Sequence, residues 1–171
     1  MPWRNGGGIT RELLRRPTVA ASGDFDWRLS VAEVSVDGPF STFSGYDRIL
    51  VLVSGTGMDL HIDGEEIALR PPLGRHRFAG EATVHATLPD GPTTDLNLIW
   101  RRGAFEATLR RFEAPFDLAP QTGATLLAFV VDGGPSLDGG VALHPGDVVE
   151  STDILHVDGD GTLLVFAVVS R

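Results

Sequence analysis

Asp95 and Asn97 stand two residues apart in the run Asp95-Leu96-Asn97-Leu98-Ile99-Trp100-Arg101-Arg102. In a strand, that spacing puts both short polar side chains on one face with Ile99 and Arg101, and turns Leu96, Leu98 and Trp100 to the other. Asp and Asn are poor strand formers. Two of them converging on one spot call for either a water-filled or ligand-filled interior or an edge open to solvent. Glu33 raises the same question, because it falls in line with Trp27, Leu29 and Val31, opposite Arg28, Ser30, Ala32 and Val34. A carboxylate in register with three apolar residues marks either a strand end in solvent or a polar group aimed into a cavity. Asp47 and Arg48 follow Tyr46 directly before an apolar strand, at the mouth of a barrel if that strand lines one. An acid/base pair could be drawn from Glu33, Asp47 and Asp95, but sequence spacing does not bring them together.

The segment Trp3-Arg4-Asn5-Gly6-Gly7-Gly8-Ile9-Thr10-Arg11 offers a different chemistry. Three glycines let successive N–H groups face one point and form an anion-binding concavity, with Trp3 as a stacking face and Arg4 or Arg11 as a carboxylate partner. The alternative is a floppy terminal tract. Charge placement supports a search for an anion. All 14 basic residues are arginine; residues 1–111 hold 13 of them against 14 acids, whereas residues 112–170 hold nine acids and no arginine. The guanidinium fork matches a carboxylate, so an anionic ligand belongs to the first part of the chain. Codon bias towards arginine is the competing explanation. The formal net charge of −9 and the lack of a basic stripe exclude a nucleic-acid binder.

Several chemistries have no residues to carry them. No cysteine is present, which removes disulfides and thiolate chemistry. The five histidines (His61, His76, His85, His144 and His156) show neither His-x-His nor His-x-x-x-His spacing, so no metal site is expected. The glycine tract lacks the Lys-Ser/Thr of a phosphate loop, and no nucleophile elbow occurs. No cofactor and no catalytic residue is assigned. No apolar run approaches the ~18 residues of a membrane span, and no secretory pattern opens the chain. The expectation is a bacterial cytoplasmic protein with a small anionic metabolite as partner, no nucleic acid and no membrane; a homodimer is compatible.

Residues 49–71 form the unit that must position these groups. An apolar strand is followed by Ser54-Gly55-Thr56-Gly57, then by Met58, Leu60 and Ile62 alternating with polar residues, and then by Asp63-Gly64, a hairpin signal. The unit closes on Ala68-Leu69-Arg70-Pro71, and a comparable series near residues 126–145 closes on Ala142-Leu143-His144-Pro145. We read an internal repeat of a small β-barrel. Short strands with Gly and Pro turns predict an all-β barrel or sandwich, with little helix; residues 12–16 are too short for a helix before Pro17. The expected domains are 1–111, a first barrel with the ligand site, and 112–171, a second, degenerate barrel. Residues 105–112 are read as a strand crossing between the halves, and strand exchange is left open.

Pro2-Trp3-Arg4-Asn5-Gly6-Gly7-Gly8-Ile9-Thr10-Arg11-Glu12, the block from Phe25 through Val34, Asp37-Gly38-Pro39-Phe40-Ser41-x-Phe43-x-Gly45-Tyr46-Asp47-Arg48, and Asp90-Gly91-Pro92 with Asp95-Leu96-Asn97 and Arg101-Arg102 together resemble the signature blocks of the HutD/Ves family. The resemblance spans residues 2–102, in order and spacing. It implies a double-cupin (bicupin) jelly-roll fold, a link to histidine utilisation, and binding of a small pathway acid without established catalysis. Its motif positions here are Trp3, Asn5, Thr10, Arg11, Glu33, Phe40, Phe43, Asp47, Arg48, Asp95 and Asn97. On that reading Arg48 or the N–H groups after Asn5 meet the ligand carboxylate. Phe40, Phe43 and Trp3 form an aromatic wall, and Glu33, Asp95 or Asn97 accept from ligand N–H groups.

Overall fold

A computed structural model defines the chain at Met1 and at residues 7–18, 24–138 and 140–171. Every regular element among these residues is a β-strand. Among the described residues, no helix is long and apolar enough to cross a membrane. The chain divides into two compact units, Met1–Arg102 and Gly103–Arg171.

The first unit contains β1 (Gly8–Arg16), β2 (Trp27–Val34), β3 (Gly38–Pro39), β4 (Tyr46–Ser54), β5 (Met58–Ile62), β6 (Glu65–Leu69), β7 (Arg75–Ala79), β8 (Val84–Thr87) and β9 (Thr93–Arg101). One antiparallel sheet runs β1-β2-β9-β4-β7, the other β3-β8-β5-β6. The expected Asp63-Gly64 hairpin joins β5 to β6, with both residues at positive φ (48° and 92°), as a two-residue turn with the right twist requires. Ala32, Val34, Leu50, Leu52 and Phe78 of the first sheet meet Met58, Leu60, Leu69, Val84 and Ala86 of the second in one buried cluster. Each large apolar side chain buried there contributes about 1.5–3 kcal/mol.

The second unit contains β10 (Phe105–Glu113), β11 (Phe116–Leu118), β12 (Ala124–Val130), β13 (Ser136–Leu137), β14 (Val141–Ala142), β15 (Val148–Ser151), β16 (Leu155–Asp158) and β17 (Thr162–Ser170). Its sheets run β10-β17-β12-β15 and β11-β16-β13-β14. The pairing scheme of β2 to β9 is therefore written a second time, strand for strand, in β10 to β17, and β1 is the addition. The repeat is larger than the two Ala-Leu-x-Pro segments suggest. The unit boundary follows from it: β10 pairs along its whole length with β17, so residues 105–113 open the second unit and do not cross between halves.

Residues 12–16, read as too short for a helix, are strand. They extend β1, an edge strand paired with β2 from Gly8 to Arg16 with a bulge at Glu12/Leu14. A neighbouring strand supplies the hydrogen bonds that a helix this short could not, and the solvent-facing side of an edge accommodates the charges.

Candidate functional site

Strand register converts the scattered polar residues of the first unit into three rows on the inward face of its larger sheet. Thr10, Ala32, Asp95 and Leu52 lie side by side across β1, β2, β9 and β4. The next row is Glu12, Ser30, Asn97, Leu50 and His76, ending on β7. The third is Arg15, Arg28, Ile99, Arg48 and Phe78. Neighbours in such rows are within side-chain reach. The apolar half of the face packs on the second sheet; the polar half holds Arg48, Asp95, Asn97 and Ser30, all buried.

These groups are poorly satisfied. Asp95 is 1% exposed, yet neither carboxylate oxygen has a hydrogen-bond partner among the described residues; the same holds for Asn97 Oδ1, Arg48 Nε and Arg28 Nε. Arg48 is 3% exposed and donates from Nη1 to the Ser41 carbonyl at 3.2 Å. Its guanidinium lies over three rings, 5.4 Å from Phe40, 5.7 Å from Phe43 and 4.9 Å from Phe78. Arg28 lies over Phe25 at 5.1 Å and Phe43 at 5.0 Å. Aromatic faces attract cations but form no fork, so both guanidinium groups keep donor capacity for a ligand.

Burial shapes the electrostatics. Desolvation pushes the Asp95 carboxyl up to about 7, with the Arg48 charge opposing the rise. Desolvation likewise pushes Arg48 down to about 10, against the pull of Asp95, and lowers Arg28, against that of Glu12. Several kcal/mol oppose the burial of each such ion unless it is well paired.

The second unit provides an internal control. Aligned on the third residue of β4 and of β12, Arg48 corresponds to Leu126, and the registers then match Asp95 to Leu163 and Asn97 to Val165. All three counterparts are buried apolar residues. The strand scheme has no need of ions at these positions, so those in the first unit answer to something other than folding.

The structure brings together Arg48, Asp95, Asn97, Phe40, Phe43 and, at the inward edge, Thr10. It does not bring Glu33, Asp47 or Arg11 to them. Glu33 pairs with Thr94, alternates away from Asp95 and is exposed. Arg11 pairs with Val31 on that same outer face and is also exposed. Asp47 points away from Arg48 and joins an ion cluster: Arg77 donates to it at 3.0 Å and Arg102 at 2.7 Å, while Arg102 also holds Glu81 with two bonds. Trp3 and Asn5 lie outside the described residues. Gly8 begins β1 and pairs with Val34, and the Gly7 carbonyl accepts from the Ser35 N–H at 3.0 Å; Gly6 lies outside the described residues. Arg28 is the member that sequence reading missed; its only signal was that it shares a face with Ser30 and Ala32.

The family model described as HutD matches residues 1–166. The chain belongs to the HutD family. It is 39% identical over 127 residues to an uncharacterized 21.2 kDa protein in the hutC 3' region of Pseudomonas putida, a match covering 74% of this chain and 66% of that protein. It is 35% identical over 155 residues to Protein Ves of Citrobacter koseri, covering 84% and 78% respectively. Among solved structures, HutD from Pseudomonas fluorescens SBW25, in a formate condition, matches with a TM-score of 0.84 and 32% identity, over 100% of this chain and 93% of that one. A cupin 2 conserved barrel domain protein from Leptotrichia buccalis, 12% identical with a TM-score of 0.57 over 96% of this chain and 89% of its own, shows the fold alone. The fold is therefore that of the cupins, and the HutD resemblance read from the sequence is borne out, including its association with histidine utilisation.

Proposed function

We propose that this HutD-family protein is a non-catalytic binder that senses or buffers a small carboxylate of histidine breakdown, either urocanate or a formyl- or formimino-glutamate. The observation that carries this reading is the buried set of Arg48, Asp95 and Asn97, in which Arg48 Nε, both Asp95 carboxylate oxygens and Asn97 Oδ1 have no hydrogen-bond partner among the described residues, placed where the second unit has Leu126, Leu163 and Val165. Arg48, whose Nε has no partner among the described residues, suits a carboxylate. Asp95 and Asn97 Oδ1 suit an N–H group of imidazole, amide or imino type, and Phe40 and Phe43 suit the planar part between them. Calorimetric titration with urocanate and with the two glutamate derivatives is the test. One of them is expected to bind, and binding should be lost in Arg48→Gln; no heat at millimolar ligand counts against the reading.

A second reading is favoured by one observation. A carboxyl poised to change protonation near neutral pH is what acid/base catalysis requires, and of Glu33, Asp47 and Asp95 only Asp95 faces the interior. A metal-independent enzyme acting on the same acids would then use Asp95. Turnover of a candidate acid that disappears in Asp95→Asn while binding persists would establish it.

A further inference from the structure

We propose that the Arg48 site takes up a carboxylate together with one proton, the proton passing from solvent to Asp95, so that the occupied interior holds Asp95 as the neutral acid. The inference rests on Arg48 as the carboxylate anchor and adds a coupling which that reading does not require.

The geometry supplies the reason. Asp95 is buried with both oxygens free of donors among the described residues, so none of these residues holds its negative charge by a hydrogen bond. The polar and charged groups facing it are few. Its own strand carries Thr93, Asn97 and Arg101 on that face; β2 contributes Arg28 and Ser30, β1 Thr10, Glu12 and Arg15, β4 Arg48 and β7 His76. The opposing sheet contributes Met58, Leu60, Leu69, Val84 and Ala86, all apolar. Of the charged groups, Arg48 is the one whose field favours the Asp95 anion. Arg101 is engaged by Asp26 at 2.8 Å, and Arg28 lies over the Phe25 and Phe43 rings.

An anion seated on Arg48 offsets that field and adds a like charge beside Asp95. Both changes favour protonation. Because burial already raises the empty-site carboxyl to about 7, a modest further rise is enough for proton uptake around neutral pH. The neutral acid still accepts an N–H through its carbonyl oxygen and gains an O–H to donate, so protonation is compatible with a ligand that carries both groups.

Formate is the probe, since it presents a carboxylate with no N–H and does not itself titrate above pH 6. Its dissociation constant is measured by NMR titration between pH 6.5 and 9 at constant ionic strength. The expected result in the wild type is an affinity that weakens between about pH 7 and 8 by about tenfold in total and then levels off, with a flat profile in Asp95→Asn. In the wild type alone, the carbon resonance of the Asp95 carboxyl should titrate about one unit higher with saturating formate than without it. That measurement serves even if Asp95→Asn does not fold. Wild-type affinity that is flat or rises with pH overturns proton uptake and leaves the anchor standing. Absence of formate binding at every pH, or undiminished binding in Arg48→Gln, overturns the anchor and this proposal together.

Discussion

Arg28 and Arg48 flank Ile99 in a single cross-strand row, and both guanidinium groups lie over the ring of Phe43, at 5.0 Å and 5.7 Å. Two like charges held against one ring, each with an Nε that has no partner among the described residues, repel each other. The arrangement is relieved by an anion between or beside them.

The pair implies a trade between stability and binding at Arg48. Replacing a buried, incompletely paired charge with an apolar side chain of similar length is often neutral or stabilising. Arg48→Met is expected to raise stability at pH 6 by on the order of 1–3 kcal/mol and to weaken carboxylate binding by about a hundredfold, the loss of a charge-assisted pair. Denaturant melts and calorimetry on the same preparation check both halves.

Asp95 sets the pH dependence of folding. Its carboxyl stands at about 7 in the folded protein against an ordinary value of 3.8, so the folded state holds the proton more tightly than the unfolded one. This contribution is fully present below about pH 4 and is lost as pH rises through about 7. Between pH 5 and 8 the wild type should therefore lose stability relative to Asp95→Asn. The variant should be the more stable of the two at pH 8, by a margin on the order of 1–3 kcal/mol. Parallel urea titrations at pH 5 and pH 8 give the comparison, and equal slopes for the two proteins would contradict it.

Glu33 and Asp47 serve as controls, since both point away from the interior. Glu33→Gln should leave affinity within about twofold, the ordinary effect of an exposed change. Asp47→Asn should do the same to affinity while lowering stability by about 1 kcal/mol, because it removes the negative charge between Arg77 and Arg102 and replaces one of the two accepting oxygens with a donor. A tenfold loss of binding in either variant would place it in the site after all.

Gly80 fixes the aromatic wall. Its N–H donates to the Tyr46 carbonyl and its carbonyl accepts from the Phe43 N–H, both at 2.7 Å. An added Cβ would lie 2.3 Å from the Phe43 oxygen, a backbone clash that cannot relax by rotation of a side chain. Gly80→Ala is expected to cost about 2 kcal/mol or more and to weaken binding by shifting Phe43, with the melting temperature and ligand titration read together.

Much of this was legible in the residues. Asp63-Gly64 announced its hairpin, alternation placed Asp95 with Asn97, and the same alternation separated Glu33 from Arg28 and Ser30. What alternation could not supply was which face of β2 turns inward, since both carry apolar side chains: Trp27 and Leu29 on one, Ala32 and Val34 on the other. That choice, with the register of β2 against β9 and β4, decides that Arg28 belongs to the site and Glu33 does not. Long-range pairing also made a strand of residues 12–16, where local signals showed only that the segment is too short for a helix.

The twice-written strand scheme bears on mutational robustness. At Leu126, Leu163 and Val165 the demand is volume, so other aliphatic residues of similar size should be interchangeable there. At Arg48, Asp95 and Asn97 the demand is chemical identity, and conservative replacement offers no shelter. One polypeptide thus carries two copies of an architecture under different rules of tolerance, and a saturation library of the whole chain would separate the scaffold from the receptor without any ligand being named.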